Sequence, residues 1–412
     1  MVFSLLRRNR DVRLVFGAQV VSYLGDWFAF VALAGLVEDV TNSRFLVSLV
    51  LVSMTIPGLF MSPVAGSFAD RFDRRKILII VSILQAFAAL LLLLHSVAGI
   101  WITFVAQCLI AALASFVGPS TSASVPNLVD NEDDLRKTNA LFGSTWGTML
   151  AVGAALGGVF AAVFGRNAAF IANAVSFVVA GLLFSGVKRP MQSERTQNSN
   201  KGRVRPIADM KEAINVAKKD PVILALLCSK MTFAVGAGIV SQLAVLASNV
   251  FNVGDSGRGL LIGVRGIGSG LGPILGAQIA GRDMAKLLKV CGYAGLVFAV
   301  CYVGAALSPF IGMAAVFIAL AHLSGGAQWT LSTLGLQMES PDHVRGRVMA
   351  GDMAMVNTMI GFTSILAGLT SQFIGVRPAI IIFAAAAAAA SVVYLFATAG
   401  IIRRLRNEKL QQ

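Results

Sequence analysis

Twelve stretches of mostly apolar residues follow one another along this chain of 412 residues. A membrane-spanning helix needs roughly 20 such residues, and lipid leaves no partner for a free backbone N–H or C=O, so each stretch must fold as a helix. A composition of 56% apolar and 13% charged residues excludes an ordinary soluble domain. We therefore predict an all-α membrane protein with spans at residues 12–37, 45–68, 75–96, 99–125, 138–164, 167–187, 221–249, 257–281, 284–307, 309–335, 345–373 and 376–402.

The spans fall into two sets of six, separated by a polar stretch that reads as a linker. We predict an N-terminal bundle at residues 1–187, a cytoplasmic linker at 188–220 and a C-terminal bundle at 221–412. Residues 210 positions apart also match between the halves: Gly58 with Gly268, Pro63 with Pro273, Gly66 with Gly276, Asp73 with Asp283, and Lys76 with Lys286. Two parallel repeats are typical of a transporter whose site lies between the halves near the bilayer midplane.

Basic residues collect on one side of the predicted membrane. The opposite loops carry only Arg44, Arg166, Arg258 and Arg377, so both termini are predicted to be cytoplasmic. The net charge of +14 then reflects topology and attraction to anionic lipid head groups. We expect no nucleic-acid partner, because the basic residues are spread over every loop of one side. The four cysteines lie within spans without metal-ligand spacing, so we expect neither a metal nor a cofactor.

The loop after the second span reads GSFADRFDRRK at residues 66–76. It resembles the G-x-x-x-D-R-x-G-R-R/K signature of the major facilitator superfamily, and with twelve spans and a central linker the resemblance covers essentially the whole chain. Asp73 stands at the family's glycine, and because aspartate tolerates the left-handed conformation better than most residues, we expect the turn to be kept. The resemblance implies a cytoplasmic latch in which Asp70 meets the N-terminus of helix 11; its residues are Gly66, Asp70, Arg71, Arg74, Arg75 and Arg345. Alternatively, the basic residues only fix the topology.

Further runs resemble the export branch of this superfamily. Residues 153–158, GAALGG, are similar to the antiporter signature G-P-x-x-G-G, with Ala154 in place of the usual proline. Small residues there would let helix 5 pack closely against a helix of the other half, or they serve ordinary packing. Residues 22–26, 125–129, 135–141 and 340–348 are similar to the branch of bacterial macrolide-efflux and enterobactin-export proteins.

Five ionisable side chains lie within the spans and away from their ends: Asp26, Lys230, Arg265, His322 and Asp352. A charge at that depth is costly and usually marks a functional site. Asp26 and His322 are closest to mid-depth and are the candidates for proton coupling; alternatively, they are a hydrogen-bonded carboxylate and a neutral histidine that bridge helices. Lys230 either extends to the cytoplasmic surface or pairs with Asp352. Arg265 either pairs with Asp26 or receives an anionic substrate.

Uncharged side chains supply the other candidates for a substrate cavity, which with Arg265 are Gln19, Gln107, Gln242, Gln328 and Trp329. Few fixed charges suit a drug-like or amphiphilic substrate. No nucleotide-binding Walker motif is present, so an ion gradient is the expected energy source. The resemblance implies a monomeric, proton-coupled antiporter of a bacterial inner membrane that exports small molecules and is not an enzyme. Alternatives are a siderophore or lysolipid transporter, a scramblase, or a non-transporting scaffold or sensor with the same fold.

Overall fold

The structure of the chain is a computed structural model that describes residues 2–192, 219–280, 283–340 and 342–410. Most of the predicted linker, 188–220, lies outside these ranges. So do the side chains of residues 2–4, 62–63, 66–67, 70–71, 132–133, 136–137, 139–140, 143–144, 277, 342–347, 350 and 409–410. The described residues contain twelve helices long and apolar enough to cross a membrane, and the predicted all-α fold is confirmed.

The helices lie close to the predicted spans. A short helix, Val2–Arg8, precedes helix 1, Arg10–Thr41. The first half continues with helix 2 at Arg44–Arg71, helix 3 at Arg74–Leu91 extended by turns to Ala98, helix 4 at Trp101–Leu128, helix 5 at Glu132–Phe164 and helix 6 at Arg166–Ser185. The second half has helix 7 from Pro221 to Val250, helix 8 at Asp255–Ala280, helix 9 at Met284–Leu307, helix 10 at Ile311–Glu339, helix 11 at Asp342–Ile374 and helix 12 at Val376–Leu410.

The internal repeat is visible in the backbone of the loops. Asn42 and Asn252, which follow helices 1 and 7, are the two described non-glycine residues with positive φ, at 49° and 55°. Gly165 and Gly375, which follow helices 5 and 11, have φ of 85° and 96°. The members of each pair are 210 positions apart, the spacing found in the sequence. The two halves therefore turn their chains in the same way at equivalent places.

Asp73 and Asp283, another pair at this spacing, cap equivalent helices. The Asp73 carboxylate accepts hydrogen bonds from the backbone N–H groups of Arg75 and Lys76, and Asp283 accepts one from Lys286. Such capping satisfies helix donors that have no partner within the helix. Asp73 has φ −57°, so its tolerance of the left-handed conformation is not used, and the turn relies on a capping bond that glycine cannot make.

Helix 7 changes type along its length. It is α-helical over Pro221–Gly236, a 3₁₀ helix over Ala237–Gln242, briefly α-helical again and a π-helix over Leu246–Val250. At the first transition Thr363 of helix 11 donates its hydroxyl to the Ala234 carbonyl across 3.0 Å. Gly238 permits this approach, because a Cβ there would lie 3.0 Å from the Ser364 nitrogen. Changes of this kind within a helix often mark a hinge.

The chain divides into two compact units. Unit 1 comprises Met1–Asn42, Val52–Val204 and Gly254–Gly259, and unit 2 comprises Ser43–Leu51, Arg205–Val253 and Leu260–Gln412. Unit 1 thus includes the first turn of helix 8, and unit 2 includes the first turns of helix 2. A shift of 210 positions places residues 254–259 on residues 44–49, within the segment of helix 2 that belongs to unit 2. In each unit the core is apolar, with Leu33, Phe170 and Phe177 fully buried in unit 1 and Leu288, Phe298 and Tyr302 in unit 2.

Candidate functional site

Asp26 lies in helix 1 of unit 1, against helix 6. Its carboxylate hydrogen-bonds to the side chain of Asn173, which is itself buried. Gly25 permits this contact, since a Cβ at position 25 would lie 2.6 Å from the Asn173 Oδ1. The Asp26 side chain is partly exposed, and among the described residues no cation forms an ion pair with it. Asp26 therefore has an uncharged partner and retains some access to its surroundings.

Two further polar side chains extend this site along helix 1. Gln19 hydrogen-bonds to Tyr23, and Tyr23 in turn interacts electrostatically with Asp26. Residues spaced by three and four positions share one face of a helix, so the three side chains form a polar stripe. The oxygen of the Gln19 amide is buried and has no hydrogen-bond partner within the described part of the chain. Tyr23 and Asn173 are absent from the predicted site, although Asn173 is a polar residue inside a span and carries the same signal as the glutamines.

His322 lies in unit 2, enclosed by aromatic rings. Its Nε2 is 2.7 Å from the Tyr302 hydroxyl, a contact that joins helices 9 and 10. The ring centroids of Phe298 and Phe233 lie 5.8 Å and 6.3 Å from that of the histidine, both edge-on. His322 is 2% exposed. This is the geometry expected of a histidine that bridges helices, and a role of His322 in proton coupling stays a prediction.

Arg265 of helix 8 lies near this aromatic group. Its guanidinium interacts electrostatically with both Tyr302 and His322. In the part of the chain that the structure describes, it forms neither an ion pair nor a hydrogen bond, and its Nε is fully buried. The residue as a whole is partly exposed. A cation without a counter-charge inside a membrane span is unusual, because desolvation of a charge is costly.

Lys230 of helix 7 and Asp352 of helix 11 form an ion pair inside unit 2. Their side chains are 1% and 0% exposed, so the lysine does not extend to the surface. The lysine also donates to the Thr333 hydroxyl across 2.8 Å and lies 5.1 Å from the centre of the Trp329 ring. These contacts offset part of the cost of burying two charges, and the second carboxylate oxygen of Asp352 has no hydrogen-bond partner among the described residues.

The predicted glutamines occupy different surroundings. Gln328 donates to the Ser229 carbonyl across 2.5 Å and to the Thr232 hydroxyl across 2.8 Å, which ties helix 10 to helix 7. Gln242 donates to the neighbouring Ser241 hydroxyl in the 3₁₀ segment, and its amide oxygen is buried without a partner among described residues. Gln107 is buried on helix 4 of unit 1. Gln328 therefore has a structural contact through its amide nitrogen. The amide oxygens of both Gln328 and Gln242 are buried without a partner among the described residues.

The structure describes only two of the six predicted latch residues in detail, Arg74 and Arg75. The others are among the residues whose side-chain surroundings it does not describe: Gly66, Asp70, Arg71 and Arg345. Arg74 is buried and donates to the carbonyls of Ala69, Ala123 and Met191. Arg75 donates to the Ser185 carbonyl. Both arginines therefore hold carbonyl groups within unit 1, and the latch itself stays a prediction.

Ion pairs also hold this end of unit 1 together. Arg189 forms a pair with Asp130 across 2.8 Å, and this hydrogen bond holds the pKa of the Asp130 carboxyl below its ordinary value. Asp11 accepts hydrogen bonds from the backbone N–H groups of Lys188 and Arg189. The chain that leaves helix 6 is thereby fixed to the start of helix 1.

A cluster of five charged side chains, which we call the charge cluster, lies at the opposite end of unit 1. Its members are Glu38, Asp39, Arg166, Asp255 and Arg258. Arg258, which is 2% exposed, lies 2.7 Å from Glu38 and 2.6 Å from Asp255. Arg166 lies 2.6 Å from Asp39 and 3.0 Å from Asp255. The sequence signal for this cluster was two acidic residues ending helix 1 and arginines beginning helices on the same predicted side.

Glycines bring the helices of the charge cluster together. A Cβ at Gly158 of helix 5 would lie 2.7 Å from the Gly259 Cα, and a Cβ at Gly259 would lie 2.6 Å from the Ala154 carbonyl oxygen. The run at residues 153–158 therefore packs against the first turn of helix 8. Unit 2 contains the equivalent contact, where a Cβ at Gly368 would lie 2.7 Å from the Ser48 Cβ. Gly158 and Gly368 are again 210 positions apart.

Comparison with solved structures supports the fold. A bacterial homolog of the human lysosomal transporter Spinster, crystallised in an inward-facing and unoccupied conformation, superposes with a TM-score of 0.71 at 15% identity and covers 96% of each chain. At that identity the likeness shows the fold alone.

Three curated relatives are similar in sequence. An uncharacterised MFS-type transporter, YfiS of Bacillus subtilis, is 24% identical over a region that covers 68% of this chain and 65% of that protein. The putative bacilysin exporter BacE of Bacillus subtilis is 23% identical over 87% of this chain and 88% of its own length. The staphyloferrin A transporter of Staphylococcus aureus is 23% identical over 92% of this chain and 94% of its own length.

The profile of one family matches nearly the whole chain. That family, MFS_3, is described as "Transmembrane secretion effector", and the match covers residues 3–407. The resemblance to the major facilitator superfamily that the loop signature indicated is thereby confirmed. The chain belongs to the transmembrane secretion effector family and is a multi-pass membrane transporter of the major facilitator type.

Proposed function

We propose that this transporter exports small, drug-like or amphiphilic molecules from a bacterial cytoplasm in exchange for protons, with Asp26 as the proton-binding residue. One observation carries the proposal: within unit 1 a carboxylate deep in helix 1 has an uncharged hydrogen-bond partner and remains partly exposed. A carboxylate that is neither paired nor sealed can gain and lose a proton during a transport cycle.

Asn173 gives Asp26 a means to change state without leaving its position. The Asn173 Oδ1 accepts from the Ser176 hydroxyl, so its amide NH₂ is available to donate to the charged carboxylate. Protonation removes the negative charge of Asp26, so the hydrogen bond from the Asn173 amide becomes weaker. Binding of a proton on one side of the membrane therefore loosens the contact between helices 1 and 6, and release on the other side restores it.

The charge cluster and the contact at Gly158 act as the closure on the side predicted to face outside. Separation of Arg258 from Glu38 would free residues 254–259 from helices 1, 5 and 6. The equivalent release in unit 2 frees residues 43–51, where Arg44 now donates to the Ser371 carbonyl across 2.8 Å. The latch at residues 66–76 serves the cytoplasmic side in the same way, and the repeat makes the two movements symmetrical.

The names of the relatives favour export of natural products. BacE is named as a putative bacilysin exporter and the Staphylococcus relative as a staphyloferrin A transporter, so a siderophore remains the alternative substrate. A lysolipid transporter is a further alternative within transport, whereas a scramblase, or a scaffold or sensor of the same fold, would not need a proton-binding carboxylate. Asp26 therefore separates these alternatives.

The test is a panel of antibiotics, siderophores and lysolipids offered to the purified protein in liposomes, with and without an imposed pH difference. We expect at least one compound to accumulate against its gradient only when the pH difference is present. Asp26→Asn should abolish this accumulation while leaving protein yield and downhill movement in place. Asp130→Asn, which removes a carboxylate exposed at the surface, is the matched control and should transport normally. Accumulation that persists in Asp26→Asn would contradict the proposal.

A further inference from the structure

Helix 7 departs from its repeat partner, helix 1, over one stretch. A shift of 210 positions places residues 237–250 on residues 27–40, which lie within the α-helix Arg10–Thr41. In helix 7 the same stretch contains the 3₁₀ segment Ala237–Gln242 and the π segment Leu246–Val250. The repeat therefore accommodates an α-helix at this place, and a contact particular to unit 2 holds helix 7 in another form.

Thr363 of helix 11 makes that contact. Its hydroxyl lies 3.0 Å from the Ala234 carbonyl oxygen, and this oxygen also accepts the N–H of Ala237, where the 3₁₀ segment begins. The equivalent residues of unit 1 are Gly153 and Leu24, and a Cβ at Gly153 would lie 3.4 Å from the Leu24 carbonyl oxygen. The two crossings are thus alike, but glycine has no hydroxyl to donate, and helix 1 stays α-helical.

The Thr363 hydroxyl also has acceptors within its own helix. It lies 2.9 Å from the Met359 carbonyl oxygen and 3.2 Å from that of Ile360. A hydroxyl carries one proton, so it donates to one of these carbonyls or to that of Ala234. Threonine inside a helix commonly donates to the carbonyl four residues earlier. The bond can therefore move from Ala234 to Met359, which releases helix 7 without leaving the hydroxyl unpaired.

Two buried polar atoms beside the 3₁₀ segment have no hydrogen-bond partner within the described part of the chain. They are the amide oxygen of Gln242 and the hydroxyl of Ser364, and both residues are 0% exposed. Their counterparts in unit 1 are Ala32 and Ala154, which carry no such groups. Unit 2 thus has an unused acceptor and an unused donor where unit 1 has two alanines.

A return of the segment to α-helix would bring these two atoms toward each other. Gly238 packs on helix 11, since a Cβ there would lie 3.0 Å from the Ser364 nitrogen. Residues 238 and 242 point about 120° apart in a 3₁₀ helix but only about 40° apart in an α-helix. Conversion would therefore turn Gln242 toward helix 11. Because side chains lean toward the start of their helix, its amide would approach Ser364.

We propose that Thr363 is the positioning residue of a two-state segment in helix 7. With the hydroxyl on Ala234, residues 237–242 form a 3₁₀ helix; with the hydroxyl on Met359, they are α-helical and Gln242 accepts from Ser364. Six residues span about 3 Å less as an α-helix than as a 3₁₀ helix, so conversion turns and draws in the end of helix 7. The segment supplies a movement for the transport cycle and rests on the proposed function for that role.

Distances between two spin labels test the switch without any transport step. In a parent protein without native cysteines, the labels are carried by Asn249→Cys and Leu307→Cys, at exposed positions near the ends of helices 7 and 9. Thr363→Val keeps the shape and removes the hydroxyl. We expect it to change the ratio of the two distance populations by about fivefold, as expected for one hydrogen bond. Thr363→Ser keeps the hydroxyl and should match the parent.

Gln242→Leu supplies the opposite change. It removes the acceptor that Ser364 gains in the α-helical state, so we expect it to shift the populations in the direction opposite to Thr363→Val. The double variant should return toward the parent in both the distance distribution and the transport rate, whereas two residues that only pack would give losses that add. Gln242→Leu also decides the question alone if Thr363→Val does not fold, since an unchanged distribution would then contradict the switch.

The same shifts should appear in an Asp26→Asn background, because the switch lies within unit 2. A failure of proton coupling and a failure of the switch are therefore separate results. If Thr363→Val leaves the distances unchanged, or if Thr363→Val and Gln242→Leu shift them in the same direction, the 3₁₀ segment is a fixed feature of helix 7 and Thr363 has only a structural role.

Discussion

Arg258 donates to Glu38 across 2.7 Å although the two residues are 220 positions apart, and both side chains are buried. Asp255 receives the other side of the same guanidinium at 2.6 Å. The first turn of helix 8 is thus bound by charge to the end of helix 1. Because a buried ion pair is costly to leave half-formed, we expect this contact to be made fully or released fully, as the proposed closure requires.

Arg258→Gln should destabilise the protein by about 3 kcal/mol, since two acidic groups lose the cation that they share in a buried position. Unfolding in mixed detergent micelles measures this. Arg404→Gln breaks an exposed pair with Glu408 and should cost less than about 0.5 kcal/mol. Equal losses in the two variants would show that the charge cluster contributes no more than a surface pair.

Arg258→Gln should also open the closure that we propose for the charge cluster. In a background without native cysteines, Ala154→Cys places a thiol beside the first turn of helix 8, and the native alanine is fully buried. We expect an impermeant maleimide added from outside to label this thiol faster when Arg258 is also replaced by glutamine. An unchanged labelling rate would mean that the charge cluster does not control access.

Gly158→Ala should reduce both stability and transport, because its Cβ would lie 2.7 Å from the Gly259 Cα and the two backbones would have to separate. Overpacking of this kind costs about 1–3 kcal/mol. Gly118→Ala is the matched control, since a Cβ at that glycine of helix 4 meets open space, and alanine favours the helix there. Transport by Gly158→Ala at the rate of Gly118→Ala would contradict close packing at this crossing.

Lys230→Met and Asp352→Asn should each destabilise the protein by about 3–5 kcal/mol, because each leaves one buried charge without its partner. The double variant should recover most of this loss. A double-mutant cycle on unfolding free energies measures the coupling. If the two losses simply add, the two charges do not depend on each other in the folded protein.

The sequence predicts the twelve spans well because lipid accepts almost no other structure for stretches of that length. It also offers Asp352 as a partner for Lys230, since two opposite charges at similar depth have few alternatives. The alternative, in which Lys230 extends to the surface, is excluded only by the burial of its side chain in the structure. That burial depends on which face of helix 7 packs against helix 11, and the sequence of the twelve helices does not determine this.

Other features depend on contacts between distant residues. Asn173 becomes the partner of Asp26 only because Gly25 lets helices 1 and 6 approach. The charge cluster draws on the ends of helices 1, 6 and 8, and its two arginines, in the sequence, indicate only topology. The 3₁₀ segment of helix 7 is fixed in part by the Thr363 hydroxyl, 129 positions away from Ala234. Local patterns carry no information on such pairings.

Asp70→Asn should slow turnover while leaving substrate affinity within about threefold, because the predicted latch stabilises one conformation and does not touch the substrate. The transport rate and the substrate affinity are both measured on the purified protein in liposomes. Asp130→Asn again serves as the control at this end of the protein. Unchanged turnover in Asp70→Asn would remove the latch from the mechanism.

Proton movement driven by the substrate tests the role of Asp26 most directly. Liposomes that contain the purified protein and a pH-sensitive dye are prepared without a pH difference, and a gradient of a transported compound is then imposed. We expect the wild type to move protons against the flow of the compound and Asp26→Asn to move the compound without protons. Proton movement that persists in Asp26→Asn, or a wild type that transports without moving protons, would contradict the assignment of Asp26 as the coupling residue.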